Sequence, residues 1–168
     1  MSAAENSLSQ QALVRTVLKS PVHFFAFGFG SGLSPKAPGT VGTLAAVPLY
    51  LLLLQLPVAY YVLALLLTTL FGIWVCGKSS QLLGVHDHGG IVWDEFVGFW
   101  ITMLMAPAGW WWIVTGFILF RIFDIWKPWP IRAIDRKVAG GLGIMLDDIL
   151  AGFFALAVMQ LLALLVGA

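Results

Sequence analysis

Charge is missing from this chain in long blocks, and that absence limits what it can fold into more than any single motif does. No Asp, Glu, Lys or Arg occurs from Ala37 to Gly77, from Phe96 to Phe120 or from Ile149 to Ala168. A helix needs about 20 apolar residues to cross a bilayer, so the first gap has room for two spans and the others for one each. Charged residues make up 10% of the chain and apolar ones 60%, against about 25% charged in ordinary soluble domains. This balance argues against a water-soluble globule. It describes one transmembrane domain over residues 1–168. A net charge of +1 gives no pull toward nucleic acid, and the single cysteine, Cys76, allows no internal disulfide.

The expected fold is all-α: a polytopic helical bundle with spans over 41–56, 58–76, 91–106, 110–126 and 145–166, plus short interfacial or re-entrant helices. The first and third spans are short enough to require tilt or a thinned bilayer. Residues 1–20 mix Glu5, Arg15 and Lys19 with Leu8, Ala12, Val14, Val17 and Leu18. They form no signal peptide; they suit an amphipathic surface helix or a flexible terminus. The connections near Pro57 and Pro107 carry no charge, whereas the N-terminus and the segments 77–90 and 127–144 hold the basic residues. Lys and Arg near span ends stay cytoplasmic, which places the N-terminus inside and the C-terminus outside.

All eight acids fall on that same side. Asp94, Glu95, Asp124, Asp147 and Asp148 lie in or at the ends of apolar helices, where an ionised side chain costs about 2.5 to 3.5 kcal/mol at the bilayer centre. The starts of the third and fifth spans and the end of the fourth meet at one membrane face, so these acids can share a cation. The strings Gly90-Ile91 to Asp94-Glu95 and Gly143-Ile144 to Asp147-Asp148 match at an offset of 53, each with a glycine one turn deeper, Gly98 and Gly152. Helix capping explains one acid per pair, but adjacent residues point about 100° apart and cannot fill one cap together. An all-oxygen donor set without a cysteine cluster suits Mg²⁺ or Mn²⁺ rather than zinc.

Around the acids stand groups suited to an anionic ligand. Arg121 and Asp124 share a helix face, with Lys127 beyond, and they read either as an internal ion pair or as part of a site. Arg132, Arg136 and Lys137 make a basic rim on an interfacial helix that follows Pro128 and Pro130. His86 and His88, in HDHGG, can act as ligands, acid or base, or as solvated loop residues. The run from Gly28 to Thr40 lacks P-loop spacing but can offer Gly30, Ser31, Gly32 and Thr40 as amide and hydroxyl donors to phosphate; a re-entrant turn is the alternative. His23 is expected at the membrane interface.

Three strings, GFGSGLSPKAPGTVGTLAA, VHDHGGIVWDEFVG and FRIFDIWKPWPIRAIDRKVAGGLGIMLDDILAG, resemble in order and spacing the signature blocks of the phosphatidylglycerophosphatase A family of bacterial inner-membrane lipid phosphatases. The resemblance implies Mg²⁺-dependent hydrolysis of phosphatidylglycerol phosphate to phosphatidylglycerol and inorganic phosphate, reached from the cytoplasmic leaflet, with membrane lipids as the other partners. On that reading Asp94, Glu95, Asp124, Asp147 and Asp148 hold one or two Mg²⁺ ions, with Mn²⁺ as a substitute, that polarise the phosphate and activate water. Asp94, Asp124 and Asp147 take part in the chemistry, and His86 or His88 protonates the departing glycerol oxygen. Arg121, Lys127 and Arg132 stabilise charge on the phosphate. An aspartyl-phosphate intermediate is the competing route. Leu82 stands where a Cys76 phosphatase would need arginine, and no Asp-x-Asp motif occurs. A different class, a small ion or proton transporter, would also bury acids and arginines in a bundle, but its site is expected near the midplane.

Overall fold

The computed structural model describes residues 3–85 and 88–167, with side chains from residue 10 onward. Among these residues the chain is helical without strands. The helices are α1 (Ala3–Lys19), α2 (Pro21–Ala26), α3 (Pro38–Leu53), α4 (Val58–Leu83), α5 (Trp93–Thr102), α6 (Trp110–Trp126), α7 (Ile131–Asp135) and α8 (Gly140–Val166), with one 3₁₀ turn at Ser31–Leu33.

Two of them, α4 with 26 residues and α8 with 27, are long and apolar enough to cross a membrane. Their outer faces display Leu66, Leu67 and Leu70 on α4 and Leu161, Leu164 and Leu165 on α8, each more than half exposed. Contiguous apolar surface of this kind requires a lipid or protein cover.

The shortest of the five long apolar segments forms the centre. Helix α5 has ten residues, about 15 Å at the α-helical rise, and Phe96 to Thr102 are all buried. The expected third span over 91–106 therefore shrinks to a half-length helix enclosed by its neighbours. Aromatic side chains fix it there. Trp100 donates its indole N–H to the Ala46 carbonyl of α3 at 3.0 Å, and Tyr61 of α4 donates its hydroxyl to the Trp100 carbonyl at 2.8 Å. Trp93 stacks on Phe96 with ring centroids 5.6 Å apart and donates to the Thr68 carbonyl at 3.1 Å. A buried indole or phenol needs such a partner.

Glycines bring α8 onto α5. A side-chain carbon on Gly98 would lie 2.8 Å from the Asp148 carbonyl oxygen, and one on Gly152 would lie 2.5 Å from the Gly98 carbonyl oxygen. Only hydrogen fits at this crossing, as small-residue contacts between membrane helices require. The loop before α3 depends on glycine too: Gly28 has φ +54°, and a side chain there would collide with the Phe96 ring.

Residues 3–19 form a helix, one of the two readings left open for this segment, and its Val17 is fully buried. His23 is not interfacial: it is 4% exposed, 2.8 Å from the Ser79 hydroxyl through Nδ1, and burial lowers its pKa.

Candidate active site

Helix α5 starts at Trp93, which puts Asp94 and Glu95 in its first turn, where carboxylates complement the helix dipole. Helix α8 places its acids differently. It starts at Gly140, five residues before the expected span, so Asp147 and Asp148 come after two full turns. The physical reason lies in the glycine run. Gly141 packs so closely on Gly77 of α4 that a side chain would lie 2.9 Å from the Gly77 Cα, and Gly143 packs on Val138. These glycines serve close packing inside a helix rather than a turn before it. Capping is consequently ruled out for Asp147 and Asp148, which are 7% and 2% exposed.

Carboxylate oxygens of Glu95, Asp124 and Asp148, from α5, α6 and α8, lie within 4.8 Å of one another. Asp94 stands one residue before Glu95, in the same first turn of α5. Two cations answer the acids. Arg121, one turn before Asp124 on α6, pairs with Asp124 and stands 3.5 Å from Glu95. Lys127, just past the end of α6, places Nζ 2.6 Å from Asp147 and 3.1 Å from Asp135 of α7. Burial alone would lower the Lys127 pKa, but hydrogen bonds and charge from Asp147 and Asp135 outweigh it and hold the ammonium above its ordinary range.

The charges do not balance: six carboxylates converge on one arginine and one lysine. Glu95 Oε2, Asp147 Oδ1 and Asp148 Oδ2 are buried with no hydrogen-bond partner among the described residues. Orphaned buried carboxylate oxygens are costly unless a cation satisfies them. The acidic cluster can bind a metal, and its donors are all oxygen, the kind that hard divalent cations prefer.

Helix α3 forms the remaining wall. A side chain on Gly39 would lie 3.1 Å from Arg121 Nη1, and one on Gly42 would lie 3.0 Å from Glu95 Oε2 and 2.7 Å from Val92. The first turn of α3, with Thr40 next to Gly39, thus abuts the acids directly. Neither glycine was singled out from sequence; their spacing of three, one helical turn, was the available signal. Asp135 is the other addition, and no sequence pattern paired it with Lys127.

The other expected site residues stand outside the close triad. His88 accepts the Gly90 N–H at Nδ1 over 3.0 Å and packs its ring on Phe27. Gly32 touches Gly90 and Val92, and the Ser31 hydroxyl donates to the Gly28 carbonyl at 2.8 Å. Gly32 and His88 border a groove of about 510 Å³ with Leu33, Ser34 and Pro38, and Gly30 immediately precedes this turn. The loop expected to hold phosphate is thus committed to its own turn and to the 89–90 backbone. His86 lies outside the described residues. Arg132 donates to the Trp126 carbonyl at 3.3 Å and lines a groove together with Lys127.

Comparison with known proteins decides the family. The phosphatidylglycerophosphatase A family model matches residues 24–163. The chain belongs to the phosphatidylglycerophosphatase A family. It is 50% identical over 146 residues to phosphatidylglycerophosphatase A of Escherichia coli, covering 86% of this chain and 85% of that one. The Haemophilus influenzae protein of the same name is 48% identical over 148 residues, covering 87% and 91%. A Bacteroides thetaiotaomicron protein provisionally named a phosphatidylinositol-3-phosphatase is 43% identical over 136 residues, covering 76% and 84%. No solved structure matches the chain. The matched region contains every residue of the acidic cluster, together with Arg121 and Lys127.

Proposed function

We propose that this chain hydrolyses the terminal phosphomonoester of phosphatidylglycerol phosphate, releasing phosphatidylglycerol and inorganic phosphate, with Mg²⁺ or Mn²⁺ held by the acidic cluster. The observation that carries the reading is the convergence of Glu95, Asp124 and Asp148 within 4.8 Å beside Arg121 and Lys127, in a chain of this family. When bound, the cation offsets the carboxylate charge and supplies Lewis-acid activation of the phosphoryl group. Glu95, Asp124 and Asp148 would hold it, with Asp94 and Asp147 flanking.

The chain's own groups divide the remaining work. Arg121 and Lys127 present fixed positive charge to the phosphate oxygens, whose charge is spread over the equatorial positions as the ester bond breaks. Thr40 and the first turn of α3 close the site on the third side. Asp147, oriented by Lys127, takes the proton of the attacking water. His88, with Nδ1 accepting from Gly90, carries its proton on Nε2, and we assign it, or His86, the return of a proton to the departing glycerol oxygen. Attack by an aspartate, forming a phosphoenzyme, is the competing route. Gly30, Ser31 and Gly32 shape the neighbouring loop in this reading.

We further propose that α3, α4, α5, α6 and α8 form a five-segment bundle in the bacterial inner membrane, with α5 as the enclosed half-span. The N-terminus and the acids face the cytoplasm. The transporter reading gains no support from the relatives.

Phosphate release by the detergent-purified protein tests this directly. Turnover of phosphatidylglycerol phosphate with Mg²⁺, abolished by excess EDTA and restored by Mg²⁺ or Mn²⁺, is the expected result. A folded protein that releases no phosphate with any divalent ion would overturn the reading, and ion flux in liposomes would then test the transporter.

A further inference from the structure

At Lys127, whose ammonium pairs with Asp147, the chain turns between α6 and α7 and leaves a groove of about 460 Å³. Trp126, Pro128 and Trp129 wall it, and Arg132 and Arg136 line it with Lys127. Its composition is unusual for a corner. The indoles of Trp126 and Trp129 are 66% and 84% exposed, and exposed indoles of this kind settle at the headgroup level of a bilayer. Neither Arg132 nor Arg136 has a carboxylate within 4.0 Å among the described residues, whereas Arg121 and Lys127 are each shared between two acids. Among the described residues the arginines therefore have no acid partner, Arg132 meeting only the Trp126 carbonyl, while the two cations of the acidic cluster each have two.

We propose that this corner binds the phosphodiester of the substrate lipid, and that Arg132 and Arg136 are specificity-determining residues rather than groups acting on the reacting phosphate. The inference rests on the reading above, in which the substrate carries two phosphates separated by one glycerol. Lys127 gives the corner the right relation to the reaction. Lys127 lines the groove and its ammonium reaches Asp147, so one residue touches both anion positions. Arginine forks suit a diester because two N–H groups can meet its two free oxygens at once. Trp126 also borders an apolar groove of about 410 Å³ along the outer face of α6, between Ile118, Ile122 and Ile125. A lipid whose diester sits between the arginines would thus have a lipid-facing bed for its acyl chains next to it. The Lys127 side would receive the terminal phosphate. The corner would then select lipids that carry an internal phosphodiester beyond the group to be cleaved.

The test compares R132Q/R136Q with the wild type and with R15Q/K19Q, which removes two exposed charges on α1. In mixed micelles at fixed surface dilution, the α7 variant is expected to raise KM for phosphatidylglycerol phosphate at least about tenfold while kcat stays within about twofold. Inhibition by added phosphatidylglycerol, which keeps the diester and lacks the monoester, should weaken by the same factor. The α1 variant should match the wild type. An unchanged KM, an equal rise in both variants, or a fall in kcat at constant KM would overturn the proposal. The last two would indicate general surface attraction and action on the reacting phosphate, respectively.

A second readout needs no turnover: co-purification of phosphatidylglycerol over diacylglycerol, which lacks the diester, after a defined detergent wash. Preferential retention by the wild type and the α1 variant, lost in R132Q/R136Q, supports the site even if no phosphate is released. Equal retention of both lipids by the wild type overturns it independently of the phosphatase reading.

Discussion

The pairs Asp94-Glu95 and Asp147-Asp148 follow nearly the same local string, yet they occupy different kinds of position. The first opens a short helix, where orphan amides and the dipole stabilise negative charge. The second lies two turns inside a 27-residue helix, with no free amides near it and glycine-mediated contact against α5 beneath it. A local repeat in sequence is therefore not a repeat in electrostatics. Position and dipole favour charge on the first pair, but its Glu95 buries an orphaned carboxylate oxygen just as Asp147 and Asp148 do, at a cost that folding alone does not offset. Such a cost at one face, next to Arg121 and Lys127, is what a site built for a cation and an anion would show.

Asp148→Asn separates the two kinds of position most sharply. Asn keeps the shape and removes the charge, so phosphate release should fall by at least about a hundredfold. In excess EDTA the same variant should be more stable than the wild type, by about 1–3 kcal/mol, because a buried carboxylate without compensation has been neutralised. Thermal unfolding in detergent with and without Mg²⁺ reads this. A variant that is less stable than the wild type in EDTA would show that Asp148 is satisfied by the protein itself.

Gly152→Ala probes the contact that holds the second pair in place. Its methyl group would lie 2.5 Å from the Gly98 carbonyl oxygen and 3.1 Å from Ile101 Cβ, so α8 must move away from α5. Overpacking of this kind costs about 1–3 kcal/mol, and moving Asp148 away from Glu95 should lower kcat by roughly tenfold or more, since catalytic geometry tolerates little displacement. Folded protein with unchanged kcat would mean that the α5–α8 crossing does not set the site.

These contacts also mark how far sequence carries the argument. The gathering of the acids at one face was legible, because apolar runs set helix count and the charge-free loops set which ends meet. Close helix approach at Gly98 and Gly152 was legible, because each lies about one turn beyond an acid, but that the two glycines meet each other was not. The length of α5 was not, since apolar residues continue to Ala106 and only three-dimensional enclosure ends the helix at Thr102. The start of α8 was hidden because glycine reads as a breaker, whereas Gly141 and Gly143 are used for their size. Gly39 against Arg121 and Asp135 against Lys127 were hidden too, as both depend on how α3 and α7 dock.

Lys127→Met tests the cation that serves the second pair. It leaves Asp147 without its 2.6 Å partner, which should cost roughly 1–3 kcal/mol and about tenfold in kcat. The pH dependence has a definite sign. The Lys127 pKa is raised in the folded protein, so its contribution to stability is complete below the ordinary lysine value, about 10.4. That contribution is lost only as pH rises through the higher folded value. Unfolding measured from pH 6 to pH 9 should therefore show no titration from Lys127.

The smallest effect is expected from Asp94→Asn, and it bears on the first pair alone. Asp94 occupies the second position of α5, where a carboxylate gains from the dipole by about 0.3–1 kcal/mol. Asparagine loses that gain while keeping a side-chain acceptor for the first-turn amides. Because the close triad consists of Glu95, Asp124 and Asp148, Asp94→Asn should lower turnover less than about tenfold and leave the Mg²⁺ concentration for half-maximal rate nearly unchanged. Glu95→Gln, one residue on, should instead raise that concentration strongly. Adjacent residues in one helical turn point in different directions, so equal losses in the two variants would be hard to reconcile with a dipole role for Asp94. That result would make both members of the first pair ligands, and the two pairs would then be alike in function despite their different places in their helices.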